Sequence, residues 1–288
     1  MTIREAISQA AADLKFAEIE SPNLDASILL SHVLNKDRSS LITCAKQRLP
    51  EEACAALCAL IERRCNGECV AYITGKKEFW GLEFDVNKSV LVPRPETETL
   101  VEIALKQLET RNEETGINVL DLCTGSGAIA ISLKNEMPQL EVDATDICSD
   151  ALETAKNNSK KLLGDKKINF YLGDLFDALP HCALPAAYSL IISNPPYIPS
   201  EKIKTLSAEV QNEPYIALNG GEAGLEIIRR LIEKSTEYLI KGGSLLLEAD
   251  PNQMEEIKNI LIKKGYVKIK IYKDMAGHDR VIRGNYET

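Results

Sequence analysis

The sequence predicts an α/β protein in which a doubly wound, mostly parallel sheet follows a small helical domain. Three observations lead there. From residue 117 onward, apolar β-rich runs alternate with helical patterns, as parallel strands joined by right-handed crossovers require. The first of those runs ends in a glycine turn, "DLCTGSGAIA", and the fourth stops at "SNPPY". Before residue 70, apolar residues recur instead at three- and four-residue spacing, which is helical.

Taken in order, "TIREAISQAAADLKFAEI" reads as the first helix. "SPNLDASILLSHVLN" opens with Ser-Pro, a good first turn, and "PEEACAALCALIERRC" has acids where the helix dipole favours them. Residues 1–70 are therefore expected to form a helical N-terminal domain. In 71–92, aromatic and β-branched residues around Gly75 and Gly81 predict a β-hairpin linker. "PRPETETLVEIALKQLE" starts a new helix after its prolines, opening a second domain over 93–288. Its strands are "INVLDLC", "EVDATD", "INFYLG", "YSLIISN" (within the apolar run 186–193) and "GSLLLEA", with helices starting near Gly127, Ser149, Glu222 and Pro251. "YVKIKIYKDM" and "DRVIRGNY" then pair as a hairpin, putting an antiparallel strand at the sheet's end and bringing the expected total to seven strands.

At 288 residues, 44% apolar and 27% charged, the chain has the make-up of a soluble globular protein of two domains. No apolar run reaches the roughly 18 residues that span a bilayer, and the N-terminus lacks an apolar signal core, so a cytoplasmic location without membrane contact is expected. A net charge of −9 speaks against nucleic-acid binding through a broad basic face. Five of the eight cysteines fall between Cys44 and Cys69. Cys54, Cys58 and Cys65 share one face of a helix, where cysteine acts as a small hydrophobe, and this core reading outweighs a metal cluster.

The glycine turn carries the first chemistry. Gly125 and Gly127 let the backbone turn tightly and approach a ligand, and Asp146 ends the next strand 19 residues beyond Gly127, placed to accept hydrogen bonds from ribose hydroxyls. The pattern also fits a dinucleotide fingerprint, so NAD is an alternative. S-adenosylmethionine is favoured by Asp121, which can structure the loop or reach the cofactor, and by "GDLFD", where Asp174 and Leu175 could flank adenine. Asp174 could instead cap a helix. Cys123 reads as loop packing.

"SNPPY" carries the second. Two prolines stop the strand in extended form at its carboxyl end, where open α/β sheets bind ligands. Methyl transfer needs the acceptor's lone pair aimed at the sulfonium methyl, and an amide nitrogen offers a delocalised one. The Asn194 side-chain oxygen and the Pro195 carbonyl can each accept one N–H and orient it, while Tyr197 packs on the planar group. This is positioning and preorganised electrostatics, with no metal.

With these motifs on the page, the chain resembles the protein-(glutamine-N5) methyltransferases that modify peptide chain release factors, the PrmC/HemK family. The likeness covers nearly its full length, through "VLVPRPETETLVE", "VLDLCTGSGAIAISL", "IISNPPYI", "EPYIALNGGEAGLEIIRRLI" and "DMAGHDRVIRG". It implies a class I, Rossmann-like methyltransferase domain behind a helical domain that docks the release factor, with S-adenosyl-L-methionine as cofactor and the Gly-Gly-Gln glutamine as acceptor. It implies that Cys123, Thr124, Gly125, Ser126, Gly127, Asp146, Leu175 and Asn194 surround the cofactor, and that Asn194, Pro195, Pro196 and Tyr197 hold the glutamine. Arg94 and Glu96 of "PRPETE" would border the site, with Glu213 helping to shape it. Three departures stand out: Cys123 where many members have glycine, Cys69 where many have proline, and Leu175 where some have an aromatic residue. The competing readings are a nucleic-acid amino-methyltransferase, which would need a basic face and a way to extrude a base, a non-catalytic cofactor-binding scaffold, and a nicotinamide oxidoreductase.

Overall fold

Alternating strands and helices do form the larger part of the chain. The structure is a computed structural model that describes residues 1–110, 116–180 and 187–287. The chain divides into two compact units, 1–76 with 207–212, and 77–206 with 213–288.

The first unit is helical, with helices Ile3–Phe16, Pro22–Leu34, Arg38–Thr43, Glu51–Cys65 and Val70–Thr74. Thr2 and Glu5 form a capping box at its start, each side chain bonding the other's backbone N–H. Leu14, Leu29, Leu30, Leu57 and Ile61 fill the core. Helix Glu51–Cys65 buries Leu57, Ile61 and Arg64, and of the three cysteines expected in the core Cys54 and Cys65 pack against it while Cys58 does not. Cys58 is exposed and Cys54 and Cys65 are half-buried, while Cys69 beyond the helix is buried. Burying Leu and Ile removes more apolar surface from water than burying Cys and Ala, and Arg64 has a partner on that side.

That partner is Asp25, also buried, whose carboxylate accepts from Arg64 Nε at 2.7 Å. Arg64 also pairs with Glu209 of the 207–212 segment, which lies within the second domain expected from sequence but belongs to this compact unit. Gly67 lets that segment approach. It has φ +86, and a Cβ there would stand 2.9 Å from the Ala208 methyl.

Strands β1 (Lys76–Phe79) and β2 (Leu82–Asp85) form the expected hairpin, shorter than read, because residues 70–74 close a helical turn that stops at Gly75 with φ +73. Strands β3 (Asn118–Leu122), β4 (Glu141–Asp146), β5 (Asn169–Leu172), β6 (Tyr188–Ser193), β7 (Leu239–Glu248), β8 (Val267–Lys273) and β9 (Asp279–Asn285) build one sheet in the order β5-β4-β3-β6-β7-β9-β8. Ala186, which opened the apolar run read as the fourth strand, lies outside the described residues. The first five strands run parallel, and β9 is antiparallel to both β7 and β8. Helices Glu98–Glu109, Ala128–Glu136 and Ser149–Leu163 pack in sequence, as do Glu226–Tyr238 and Met254–Lys263. The chain winds outward from β3 to β5, then restarts on β3's other side with β6, so β3 and β6 flank the switch point where such sheets bind ligands. Among the described residues, no helix is long and apolar enough to cross a membrane.

Removing one half of a buried ion pair leaves the other charge uncompensated. Arg64→Ala is therefore expected to lower unfolding free energy by about 3–5 kcal/mol in chemical denaturation. Arg63→Ala, which breaks an exposed pair with Glu68, should change it by under about 1 kcal/mol.

Candidate active site

The site follows from register. Leu122 of β3 lies opposite Thr145 of β4 on one side and Ser193 of β6 on the other, and Ser193 lies opposite Leu247 of β7. The next residue on each strand is therefore Cys123, Asp146, Asn194 and Glu248, set in one row along the sheet's carboxyl edge. Ser193 Oγ donates to the Leu122 carbonyl at 2.6 Å and ties the two central strand ends together.

The glycine loop is built from below by Asp121. This fully buried carboxylate accepts from Thr124 Oγ1 at 2.6 Å and from the Ala130 N–H at 3.3 Å, joining the loop to the helix that follows it. Of the two roles considered for Asp121, it fills the loop-structuring one. Desolvation raises its pKa to about 7, against those two hydrogen bonds. Gly125 and Gly127 have φ +56 and +82, and a Cβ on Gly127 would stand 2.8 Å from Ile131 Cδ1. Asp146 holds the loop from the side, accepting from the Gly125 N–H at 2.8 Å and the Cys148 N–H at 2.9 Å. Each of its oxygens keeps lone pairs for a further donor. Cys123 sits at φ +60, in the left-handed region that favours glycine. Burial, with Asp146 nearby, pushes its thiol up, so it stays protonated and is no nucleophile.

These elements surround a cavity of about 400 Å³. Thr124, Gly125, Ser126 and Asp146 line it, as do Cys123 and Leu175. Arg94, Asp174, Asn194 and Pro196 complete the sequence-derived residues on its wall. Asp174 makes no cap hydrogen bond to the short helix after it; its carboxylate instead accepts from Arg230 Nη2 at 2.6 Å.

Gly127, Pro195, Tyr197, Glu96 and Glu213 are not on that wall. Of the four residues after β6, Asn194 and Pro196 line the cavity, while Tyr197 packs against the core. The Tyr197 ring packs against the sheet's core, and its hydroxyl donates to Glu248 Oε1 at 3.4 Å. That differs from the expected stacking of Tyr197 on a bound planar group. Glu96 is exposed. Glu213 is buried behind the wall and accepts from Arg94 Nη2 at 2.6 Å, which fixes Arg94 at the rim.

Sequence reading missed several residues here. Ile147, half-exposed directly after Asp146, and Tyr215 and Ile216, both exposed, line the cavity. The sequence signal for Ile147 was an apolar residue right after the candidate ribose acid. Thr97 also lines the cavity, and its Oγ1 accepts from Asn194 Nδ2 at 3.1 Å. Glu248, an acid ending the apolar run "SLLLE", is 1% exposed.

Residues 5–75 match the profile of the PrmC N-terminal domain, and residues 101–212 that of the methyltransferase small domain. A release factor glutamine methyltransferase from Vibrio cholerae serotype O1 (strain ATCC 39315 / El Tor Inaba N16961) is 40% identical over 288 residues, spanning 100% of this chain and 98% of its own. The protein of the same name from Escherichia coli (strain K12) is 38% identical over 284 residues, spanning 99% and 97%. Among solved structures, a methyltransferase from Pyrococcus furiosus shares the fold, with a TM-score of 0.53 and 21% identity over 80% of this chain and 98% of that one.

Desolvation holds the Glu248 carboxyl up at about 7, opposed by the Thr97 hydroxyl and Arg280. An acid raised on folding gives stability that is complete below its ordinary value of 4.5 and lost as pH rises through about 7. Glu248→Gln, neutral throughout, is expected to flatten that decline. In thermal melts from about pH 5 to about pH 8, variant Tm minus parent Tm should increase with pH.

Proposed function

The chain belongs to the release factor glutamine methyltransferase family, and from that premise we propose that it methylates the side-chain nitrogen N5 of the Gly-Gly-Gln glutamine in peptide chain release factors, using S-adenosyl-L-methionine. It is a methyltransferase with the class I fold, its mostly parallel sheet having seven strands.

The residues present fit that cofactor. The cavity's volume lies within the usual ligand-site range of roughly 300–1,000 Å³. No atom stands within 4 Å of where a Gly125 Cβ would be, so a ligand can approach that backbone closely. Asp146 has acceptor capacity left for ribose hydroxyls, and Ile147 and Leu175 offer apolar faces to a flat base. When bound, the cofactor supplies an electrophilic methyl on a positive sulfur.

The protein's share is to present the acceptor. Asn194 Nδ2 is committed to Thr97, which leaves Oδ1 to accept an N–H from the glutamine amide. The Pro195 carbonyl, in the rigid turn, accepts the other. Together they turn the nitrogen's lone pair toward the cavity and favour its pyramidal form, and the nitrogen sheds one proton to water once its new N–C bond has formed. Pro196 limits how the amide can lie, and Arg94, buttressed by Glu213, borders the entrance with Tyr215. The helical first unit is assigned to release-factor docking. The single observation that carries this reading is the Asn194 amide, fixed by Thr97 on the wall of the cavity that the glycine loop and Asp146 also line.

Labelled S-adenosylmethionine should transfer its methyl to a release factor and not to one whose Gly-Gly-Gln glutamine is alanine; equal labelling of both would remove the proposed acceptor. Asn194→Ala is expected to lower kcat on the order of 10²–10³-fold while cofactor affinity, read by calorimetry, stays near the parent value. A fall in cofactor affinity alone would make Asn194 a cofactor residue only.

A further inference from the structure

We propose that Asn158 is a positioning residue for S-adenosylmethionine: its one side chain ties the glycine loop to the linker that follows the β1–β2 hairpin, so that two walls of the cavity are held as a single piece. This deepens the reading of the cavity as the cofactor's site and rests on it.

Asn158, on helix Ser149–Leu163, is 0% exposed, and both of its amide hydrogens are used. Nδ2 donates to the Ser126 carbonyl in the glycine loop at 3.0 Å and to the Asp85 carbonyl, at the end of β2, at 2.9 Å. Oδ1 accepts from the Asp85 N–H at 2.8 Å. A backbone N–H only donates and a carbonyl only accepts, so the amide fits in one orientation. The helix also packs directly on the loop: a Cβ on Gly127 would stand 3.2 Å from the Ala155 methyl.

One turn earlier on the same helix face, Thr154 grips the linker a second time. Its hydroxyl donates to the Asp150 carbonyl at 2.9 Å, which leaves lone pairs for Asn87 Nδ2, also at 2.9 Å. Asn87 Oδ1 in turn accepts from the Ser89 N–H at 2.8 Å. Ser89, Val90 and Leu91 then line the cavity, as Ser126 does from the loop. Thr154 holds the linker, whereas Asn158 holds linker and loop together. This gives "ALETAKNN" (151–158) a purpose that the cofactor and acceptor residues do not supply.

The consequence is preorganisation. Without Asn158, the Ser126 carbonyl and both backbone polar groups of Asp85 lose a buried partner, and the loop leaves its cofactor-ready shape to satisfy them. The cofactor then binds only the fraction of molecules whose loop is in place, and its apparent affinity falls by that fraction. The complex, once formed, has the parent's geometry.

The test is the Kd of S-adenosylmethionine by calorimetry, with melting temperature and kcat on a release factor measured alongside. Asn158→Leu keeps much of the shape and loses all three bonds. It is expected to raise Kd roughly 10- to 100-fold, with kcat at saturating cofactor within about 3-fold of the parent. Lys161→Ala removes the linker's exposed tie, Lys161 Nζ to Asp85 Oδ1 at 2.6 Å, and should leave Kd unchanged. Should Asn158→Leu melt below the assay temperature, Asn158→Ser takes its place, keeping one donor and raising Kd in the same direction. A parent-like Kd for the folded Asn158 variant, a fall in kcat at unchanged Kd, or an equal rise in Kd for Lys161→Ala would each overturn the role of Asn158 and leave the cofactor reading standing. A parent protein that binds no S-adenosylmethionine would bring down that reading, and this proposal with it.

Discussion

The hydrogen-bond register of the four central strands is the constraint on which the rest of this site depends. A strand's side chains alternate between faces, so a slip of one residue would exchange the side chains packed on the two faces. Here β6 is buried along its whole length and β3 and β7 nearly so at their carboxyl ends, so such a slip would break the packing on both faces at once. With Leu122, Thr145, Ser193 and Leu247 locked in one row, the chemistry-bearing residue that follows each has no freedom of place. The glycine loop, the ribose acid, the Asn-Pro-Pro-Tyr turn and Glu248 are one structure because their strands are.

On that frame two carboxyls are carried where water does not reach. Asp121 and Glu248 are both held up at about 7 by desolvation, and each has a threonine hydroxyl working against that rise. Thr124 does so beneath the glycine loop, and Thr97 behind the clamp. A buried polar group left without partners is expensive, so such pairs tolerate little variation in geometry. Local strain adds to the same region. Cys123 and Leu175 have φ +60 and +50, a conformation that costs a side-chain-bearing residue roughly 1–2 kcal/mol, and both are on the cavity wall. The surrounding sheet over-determines these positions and holds them against that cost.

The first unit shows the same logic at its own scale. Its apolar core is ordinary, and the distinguishing element is Arg64, which is 3% exposed and engages both Asp25 and Glu209. A guanidinium suits this use because its planar fork serves several acceptors at once. The pair also explains why residues 207–212, distant in sequence, are part of a unit otherwise made from the first 76 residues.

The sequence by itself determined the alternation of strands and helices, the antiparallel ending, the glycine loop, the acid 19 residues beyond Gly127, and the proline-stiffened stop at Asn194. Each is encoded by neighbours a few positions apart, through periodicity or backbone restriction, and such signals survive without knowledge of the fold. Tertiary structure alone decided that Asn194 lines the cavity beside Thr97, while Tyr197 packs against the core and meets Glu248. It also decided that helix Glu51–Cys65 buries Leu57, Ile61 and Arg64 and leaves Cys58 exposed. Thr97 meets Asn194 across 97 residues of chain, and Arg64 meets Glu209 across 145. Partners that far apart are chosen by strand register and by competition for burial, and no local pattern in the chain records the outcome.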